Sequence, residues 1–238
     1  MTDSLKVTCL FFYTNSCFYI SDSMKIVAVN ASPRDKWNTA NLVNEAAEGA
    51  KSTGADVKVF NLYDLEKYTG CVSCFGCKLG KNTGKCIHND DLTEILEEIR
   101  TSDGLIIGTP NYLSDVTASF RALYERLIFQ YITYKTEPKS YNDRSIPVLM
   151  IMTSNVSEDF YPQIGYEATL EKYRQTFSNF IGPAKILISG DTLQVNDYDK
   201  FNWTLFDPVK KKERHETEFP KELKKAFEFG KDMAENRW

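Results

Sequence analysis

Six cysteines stand in this chain of 238 residues, and four of them crowd into one stretch, GCVSCFGCKLGKNTGKC. The spacing C-x2-C-x2-C-x8-C brings Cys71, Cys74, Cys77 and Cys86 within reach of one another. Four thiolates so close in sequence can ligate a [4Fe-4S] cluster, one sulfur to each iron. They can also surround one tetrahedral zinc ion, or stay free as redox-active thiols. Such clustering in a chain this long fits metal or redox chemistry in a reducing compartment, hence the cytoplasm, better than a disulfide scaffold. The other two, Cys9 and Cys17, lie near the N-terminus.

A second chemical stretch is MKIVAVNASPRDKWNT, Met24 to Thr39. Lys25 to Asn30 is a β-branched, apolar run of the kind buried on both faces of a parallel sheet. Pro33 interrupts it, and Asn38-Thr39 reads as an N-cap pair before a helix over Ala40 to Ser52. Strand, polar loop and helix start together aim backbone N–H groups and a helix dipole at one spot, which suits a phosphate. Ser32, Asn38 and Thr39 add side-chain donors, and Arg34 adds charge. An ordinary βα turn has the same outline, and neither a GxGxxG fingerprint nor a Walker A loop is present.

Those residues need elements to position them. Asp56 to Asn61, Asp103 to Thr109, Ile146 to Thr153 and Ala184 to Ser189 read as four more strands. Helical stretches run from Asp90-Asp91 to Arg100, with Leu92, Ile95, Leu96 and Ile99 on one face, and from Ser114 to Phe129. Two more cover Tyr161 to Phe180 and Phe219 to Trp238. Alternation of this kind predicts an α/β fold: a doubly wound, five-stranded parallel sheet with helices on both faces. Asp191 to Glu218 reads as a long irregular, charged segment. Ligands of such sheets bind at the carboxyl ends of the strands. That places a second loop, Thr109-Pro110-Asn111-Tyr112-Leu113-Ser114, beside the first, with a helix start expected at Ser114-Asp115. Its amides and one aromatic ring suit a flat, polar heteroaromatic.

Residues 1–23 do not match the strand–helix alternation that begins at Met24. They read as an N-terminal extension, either disordered or an artefact of start-site choice, with Met24 the natural start; the alternative reading is a targeting or anchoring segment. The domain then runs over 24–238, with a cysteine-rich insert at 70–91. Val7 to Ile20 is too short for a membrane span. A net charge of −4 argues against a nucleic-acid partner.

Taken together, Asn30-Ala31-Ser32-Pro33-Arg34 with Asn38-Thr39, and Thr109-Pro110-Asn111-Tyr112 with Arg121-Ala122-Leu123-Tyr124-Glu125-Arg126, resemble the NAD(P)H-dependent FMN reductase family of flavodoxin-like proteins. The cysteine-rich insert resembles its iron–sulfur flavoprotein branch, although the fourth cysteine comes later here than in that branch. The resemblance covers about Met24 to Ile188. It implies non-covalent FMN, with Ser32, Arg34, Asn38 and Thr39 at the phosphate. Pro110, Asn111, Tyr112, Leu113 and Ser114 would line the isoalloxazine, with Thr153 to Asn155 at its far edge. Cys71, Cys74, Cys77 and Cys86 would be the metal ligands. It implies an enzyme that takes electrons from NAD(P)H or a reduced iron–sulfur protein and gives them to a quinone, a flavin or a redox protein. A homodimer or homotetramer is implied as well. Hydride transfer to the flavin needs no acid–base side chain, so no catalytic residue is expected. His88 and His215 read as surface residues, and Lys210 to Lys212 as a solvated basic run. The alternative readings are an electron-transfer iron–sulfur flavoprotein without NAD(P)H activity, and a thiol or metal sensor on a scaffold that has lost flavin.

Overall fold

The computed structural model describes residues 23–238. The expectations for residues 1–23, Ser23 aside, and for Cys9 and Cys17 lie outside the described residues. Five strands form one all-parallel sheet: β1 (Lys25–Asn30), β2 (Asp56–Asn61), β3 (Gly104–Pro110), β4 (Val148–Thr153) and β5 (Ala184–Ser189). Their order is β2-β1-β3-β4-β5, the flavodoxin-like arrangement, whose switch point lies between β1 and β3. β3 and β4 are apolar almost throughout because both of their faces are covered.

The helices are α1 (Asn38–Lys51), α2 (Leu92–Thr101), α3 (Ala118–Phe129), α4 (Tyr161–Ile164), α5 (Tyr166–Phe180), α6 (Pro208–Thr217) and α7 (Phe219–Ala234). One face of the sheet packs on α1 and α7 through Leu42, Val43, Ala46 and Met233. The other packs on α2, α3 and α5 through Leu92, Ile95, Leu123, Leu127 and Phe177. Leu92, Ile95, Leu96 and Ile99 are buried, as their spacing requires.

Several boundaries differ from the sequence reading. The helix expected from Ser114 begins at Ala118, because Leu113 and Ser114 hold φ of +52° and +69° and close a tight turn first. Thr117 caps it, its hydroxyl accepting the Phe120 N–H at 3.2 Å. Asn38 and Thr39 lie inside the first turn of α1 rather than capping it, since their side chains are drawn to the loop after β5 and to the end of β4. The helix over Tyr161 to Phe180 is broken at Gly165, which takes a φ of +77°. The segment read as irregular contains α6, which Asp207 caps and Pro208 opens.

Contact between α1 and α7 is set by two glycines. A Cβ on Gly49 would stand 1.9 Å from the Phe227 carbonyl oxygen, and one on Gly230 would stand 1.8 Å from that of Ala46. Backbone meets backbone there, so neither side can yield without moving a helix. Gly230→Ala gains about 1 kcal/mol of helix propensity but overpacks by about 1–3 kcal/mol. The expected outcome is a Tm lowered by roughly 2–4 °C in a thermal melt; a raised Tm would show that the two helices are not in close contact.

Candidate functional site

The two loops that follow β1 and β3 meet at the carboxyl end of the sheet, and hydroxyl groups join them. Thr117 Oγ1 donates to the Ala31 carbonyl at 2.8 Å, and Thr109 Oγ1 accepts the Thr117 N–H at 3.1 Å. The Asn111 N–H reaches the Thr153 carbonyl at 2.7 Å, and the Thr39 and Thr153 hydroxyls share a hydrogen bond of 2.7 Å. The ends of β1, β3 and β4 are thereby fixed relative to one another and to α1.

Within the first loop, Asn30 Oδ1 accepts the Ser32 N–H and Ser32 Oγ accepts the Arg34 N–H, both at 3.1 Å. These local bonds wind the chain into a turn that delivers it to α1. The first amides of α1 have no carbonyl one turn earlier to bond to. One pocket opens there. Ser32, Arg34, Asn38, Thr39, Pro110, Asn111, Tyr112 and Thr153 all line it, as do Ser154 and Asn155. Ser32, Asn38 and Thr39 are buried, while Arg34 is exposed. Tyr112 keeps 46% of its surface exposed, yet its partial burial pushes the phenol up from its ordinary value, with Tyr63 adding to the effect and Arg34 opposing it.

Leu113 and Ser114 do not line this pocket: Leu113 is fully exposed at the tip of the turn. The pocket also has a wall that the sequence did not suggest. Arg34 Nη1 donates to the Gln194 carbonyl at 2.6 Å, and Trp37 Nε1 and Asn38 Nδ2 donate to the Leu193 carbonyl at 3.1 and 2.8 Å. Thr192 and Gln194 complete the lining. Behind this wall lies Lys211, which is buried and not solvated. Its Nζ donates to Asn155 Oδ1 at 2.8 Å and forms a short ion pair with Asp191. His215 is half-buried and stacks on Phe219, 5.0 Å between ring centres, so it too is not simply a solvated residue.

The four cysteines line a second pocket, beside the C-terminal half of α3. Ser73 and Phe75, between them, adopt φ of +55° and +56°, which coils the chain back on itself. Cys77 is buried, Cys71 and Cys86 are half-buried and Cys74 is exposed. Burial pushes the Cys77 thiol up, with Lys78 opposing. Among the described residues, no three His, Cys, Asp or Glu side chains gather about one point as a single metal ion requires.

What holds this insert is Arg126, a guanidinium 2% exposed. It pairs with Asp90 at 2.5 Å, and its Nη2 donates to the His88 carbonyl at 2.5 Å. Burial alone would push the Asp90 carboxyl up. The hydrogen bond and charge of Arg126, with N–H groups of Thr69 and Leu92, outweigh that and hold it below its ordinary value. Gln130 Oε1 accepts the Cys86 N–H at 3.0 Å, and Glu125 accepts that of Cys71 at 3.3 Å. Arg126 belongs to the Arg-Ala-Leu-Tyr-Glu-Arg run singled out in the sequence, but its link to the cysteines depends on a fold that a sequence does not display. Asp90→Asn leaves the guanidinium buried without its countercharge, which costs about 3–5 kcal/mol. Urea denaturation is expected to show that loss; a change below about 1 kcal/mol would mean the pair is hydrated like a surface contact.

Comparison with known proteins adds to this geometry. Residues 24–158, more than half of the chain, match the profile of the family described as NADPH-dependent FMN reductase. An iron–sulfur flavoprotein of Methanocaldococcus jannaschii is 36% identical over 103 residues, covering 43% of this chain and 51% of the relative. One from Archaeoglobus fulgidus is 33% identical over 105 residues, covering 43% and 48%. The chain thus spans about half the length of the curated relatives it matches. Among solved structures, an NAD(P)H:quinone oxidoreductase from Methanothermobacter marburgensis superposes with a TM-score of 0.61 at 16% identity, over 89% of this chain and 97% of that one. An azoreductase from Bacillus anthracis gives 0.62 at 14% identity, over 88% and 99%. At such identities these two share the fold and nothing finer.

Proposed function

Since the chain belongs to the NADPH-dependent FMN reductase family, we propose that it is an FMN-dependent oxidoreductase that passes electrons from NAD(P)H or a reduced iron–sulfur protein to a small acceptor. The observation that carries this reading is the convergence of Ser32, Arg34, Asn38 and Thr39 with Pro110, Asn111, Tyr112 and Thr153 on one pocket at the end of the sheet. The first group supplies hydroxyl, amide and guanidinium donors around the start of α1, where a dianionic phosphate is stabilised. The second supplies a flat apolar step and the exposed ring of Tyr112, against which an isoalloxazine can lie. The Asn38 amide and one Arg34 donor are already fixed by the carbonyls of Leu193 and Gln194, so both side chains are held in place before a ligand arrives. Bound FMN would supply hydride and single-electron chemistry. The protein's part is to orient the ring and to leave one face open to each substrate in turn.

We further propose that Cys71, Cys74, Cys77 and Cys86 hold a [4Fe-4S] cluster. The donor set fits: four thiols line one pocket, and a cluster assigns each to a separate iron. One zinc ion would need them drawn to a single centre. The names of the similar proteins from M. jannaschii and A. fulgidus support the same reading. A cluster beside α3 favours single-electron traffic, and so gives weight to a relay that does not itself use NAD(P)H. We also propose a homodimer or homotetramer and a cytoplasmic setting; among the described residues no helix is long and apolar enough to cross a membrane.

Visible absorption of anaerobically purified protein, with iron and acid-labile sulfide assayed on the same sample, is expected to show flavin and about four irons per chain. A protein without flavin would overturn the reading. Ser32→Ala combined with Thr39→Ala removes two hydroxyl donors worth about 1.5–3 kcal/mol each to a charged group. FMN affinity, followed by quenching of flavin fluorescence, is expected to fall at least tenfold; unchanged affinity would put the phosphate elsewhere. Stopped-flow mixing with NADH and NADPH separates the two modes: bleaching of the flavin by either marks a reductase, and bleaching by neither marks a relay.

A further inference from the structure

Buried N–H groups in folded proteins nearly always find an acceptor. Two side chains of α3 and its C-cap depart from this, and both line the cysteine pocket: Arg126 at Nε and Gln130 at Nε2. Each residue is only 2% exposed. The orientation of the Gln130 amide is settled by chemistry, because the Cys86 N–H is a donor and only Oε1 can accept it. The nitrogen therefore carries the unpaired hydrogens. Arg126 commits both terminal nitrogens, Nη1 to Asp90 and Nη2 to the His88 carbonyl, which leaves Nε alone. Arg126 and Gln130 are four residues apart, so they project from the same side of the helix. Cys86 lines the same pocket as these two donors. Leaving two such donors unpaired would cost about 1–3 kcal/mol each. The pocket's other polar side chains are the four cysteines and His88. A neutral thiol is a weak acceptor, whereas an iron-bound thiolate or a bridging sulfide carries negative charge and accepts well.

We propose that Arg126 Nε and Gln130 Nε2 donate hydrogen bonds to the sulfurs of the group held by Cys71, Cys74, Cys77 and Cys86, and thereby favour its reduced state. The proposal rests on the cluster reading above. Reduction of a [4Fe-4S] cluster adds one electron and one unit of negative charge, with no bond made or broken. The electron comes from the reduced flavin or from the reduced iron–sulfur protein of the proposed reaction, and from dithionite in a titration. N–H···S bonds strengthen as charge accumulates on sulfur, which raises the reduction potential. Net charge contributes little here, because Asp90 already neutralises the guanidinium at 2.5 Å. The effect comes from the direction of the two N–H groups.

The test is an EPR-monitored potentiometric titration of the full chain, with iron and labile sulfide measured on every sample. Gln130→Met keeps the bulk of the side chain and removes both the Nε2 donor and the Oε1 that accepts the Cys86 N–H; an amide freed in this way would turn towards sulfur and raise the potential, so a lowered potential reads the loss of Nε2. Arg126→Lys keeps the charge and removes Nε. Either variant is expected to keep about four irons and to lower the reduced-to-oxidised ratio at the wild-type midpoint about tenfold, which for one electron is about 59 mV. Gln130 forms no ion pair, so Gln130→Met carries the test if Arg126→Lys does not fold. An unchanged potential in Gln130→Met at full iron content would overturn the proposal and leave the cluster reading standing. Wild-type protein without iron and sulfide would overturn both.

Discussion

A pair of threonine hydroxyls at the carboxyl end of the sheet is the constraint on which the rest depends. Thr117 bonds at once to the first turn of α3 and to the loop after β1, and Thr109 bonds to the Thr117 amide from the end of β3. Each such bond contributes only about 0.5–1.5 kcal/mol. Their value is geometric. They fix where α3 begins relative to the two loops that line the first pocket, and they do so from buried positions where water cannot compete.

From that fixed start, α3 determines where the second pocket stands. At about 1.5 Å per residue, Arg126 lies roughly 14 Å further along the helix than Thr117. Its ion pair with Asp90 gathers the insert against α3, and Gln130 holds the Cys86 amide one turn on. Desolvating a guanidinium is expensive, and a well-packed apolar side chain would often be as stable. The arrangement is explained by the N–H groups it presents to the cysteines rather than by the stability it confers.

Much of this is legible in the sequence. The bounds of β2 and β5 come directly from Asp56 to Asn61 and Ala184 to Ser189, because short stretches rich in β-branched and aromatic residues between turn signals have few alternatives. The buried face of α2 comes from its period. Both pocket-lining loops are recognisable because strand, polar loop and helix start is a local pattern. What stays hidden is non-local or conformational. The positive φ of Leu113 and Ser114 delays α3, and neither residue is a glycine to announce it. Lys211 reads as one of three solvated lysines until the fold brings Asp191 and Asn155 to it. The α6 helix is masked by a highly charged segment, although Asp207-Pro208 is a recognisable helix opening. Thr192 and Gln194 join the first pocket from the far end of the chain, a separation that no spacing rule reports.

The placement of the cysteine insert bears on the history of such chains. It leaves the sheet after β2 and returns before α2, with the sheet's hydrogen-bonded ladders running past it uninterrupted. A lineage could therefore gain or shed the insert in one event without refolding the ancestral domain. Shedding it would remove the Asp90 carboxylate and the cysteine pocket together and leave Arg126 and Gln130 uncovered on α3. Facing solvent on a helix, where both residue types are well tolerated, the pair would persist as a trace of the insert even where every cysteine has gone.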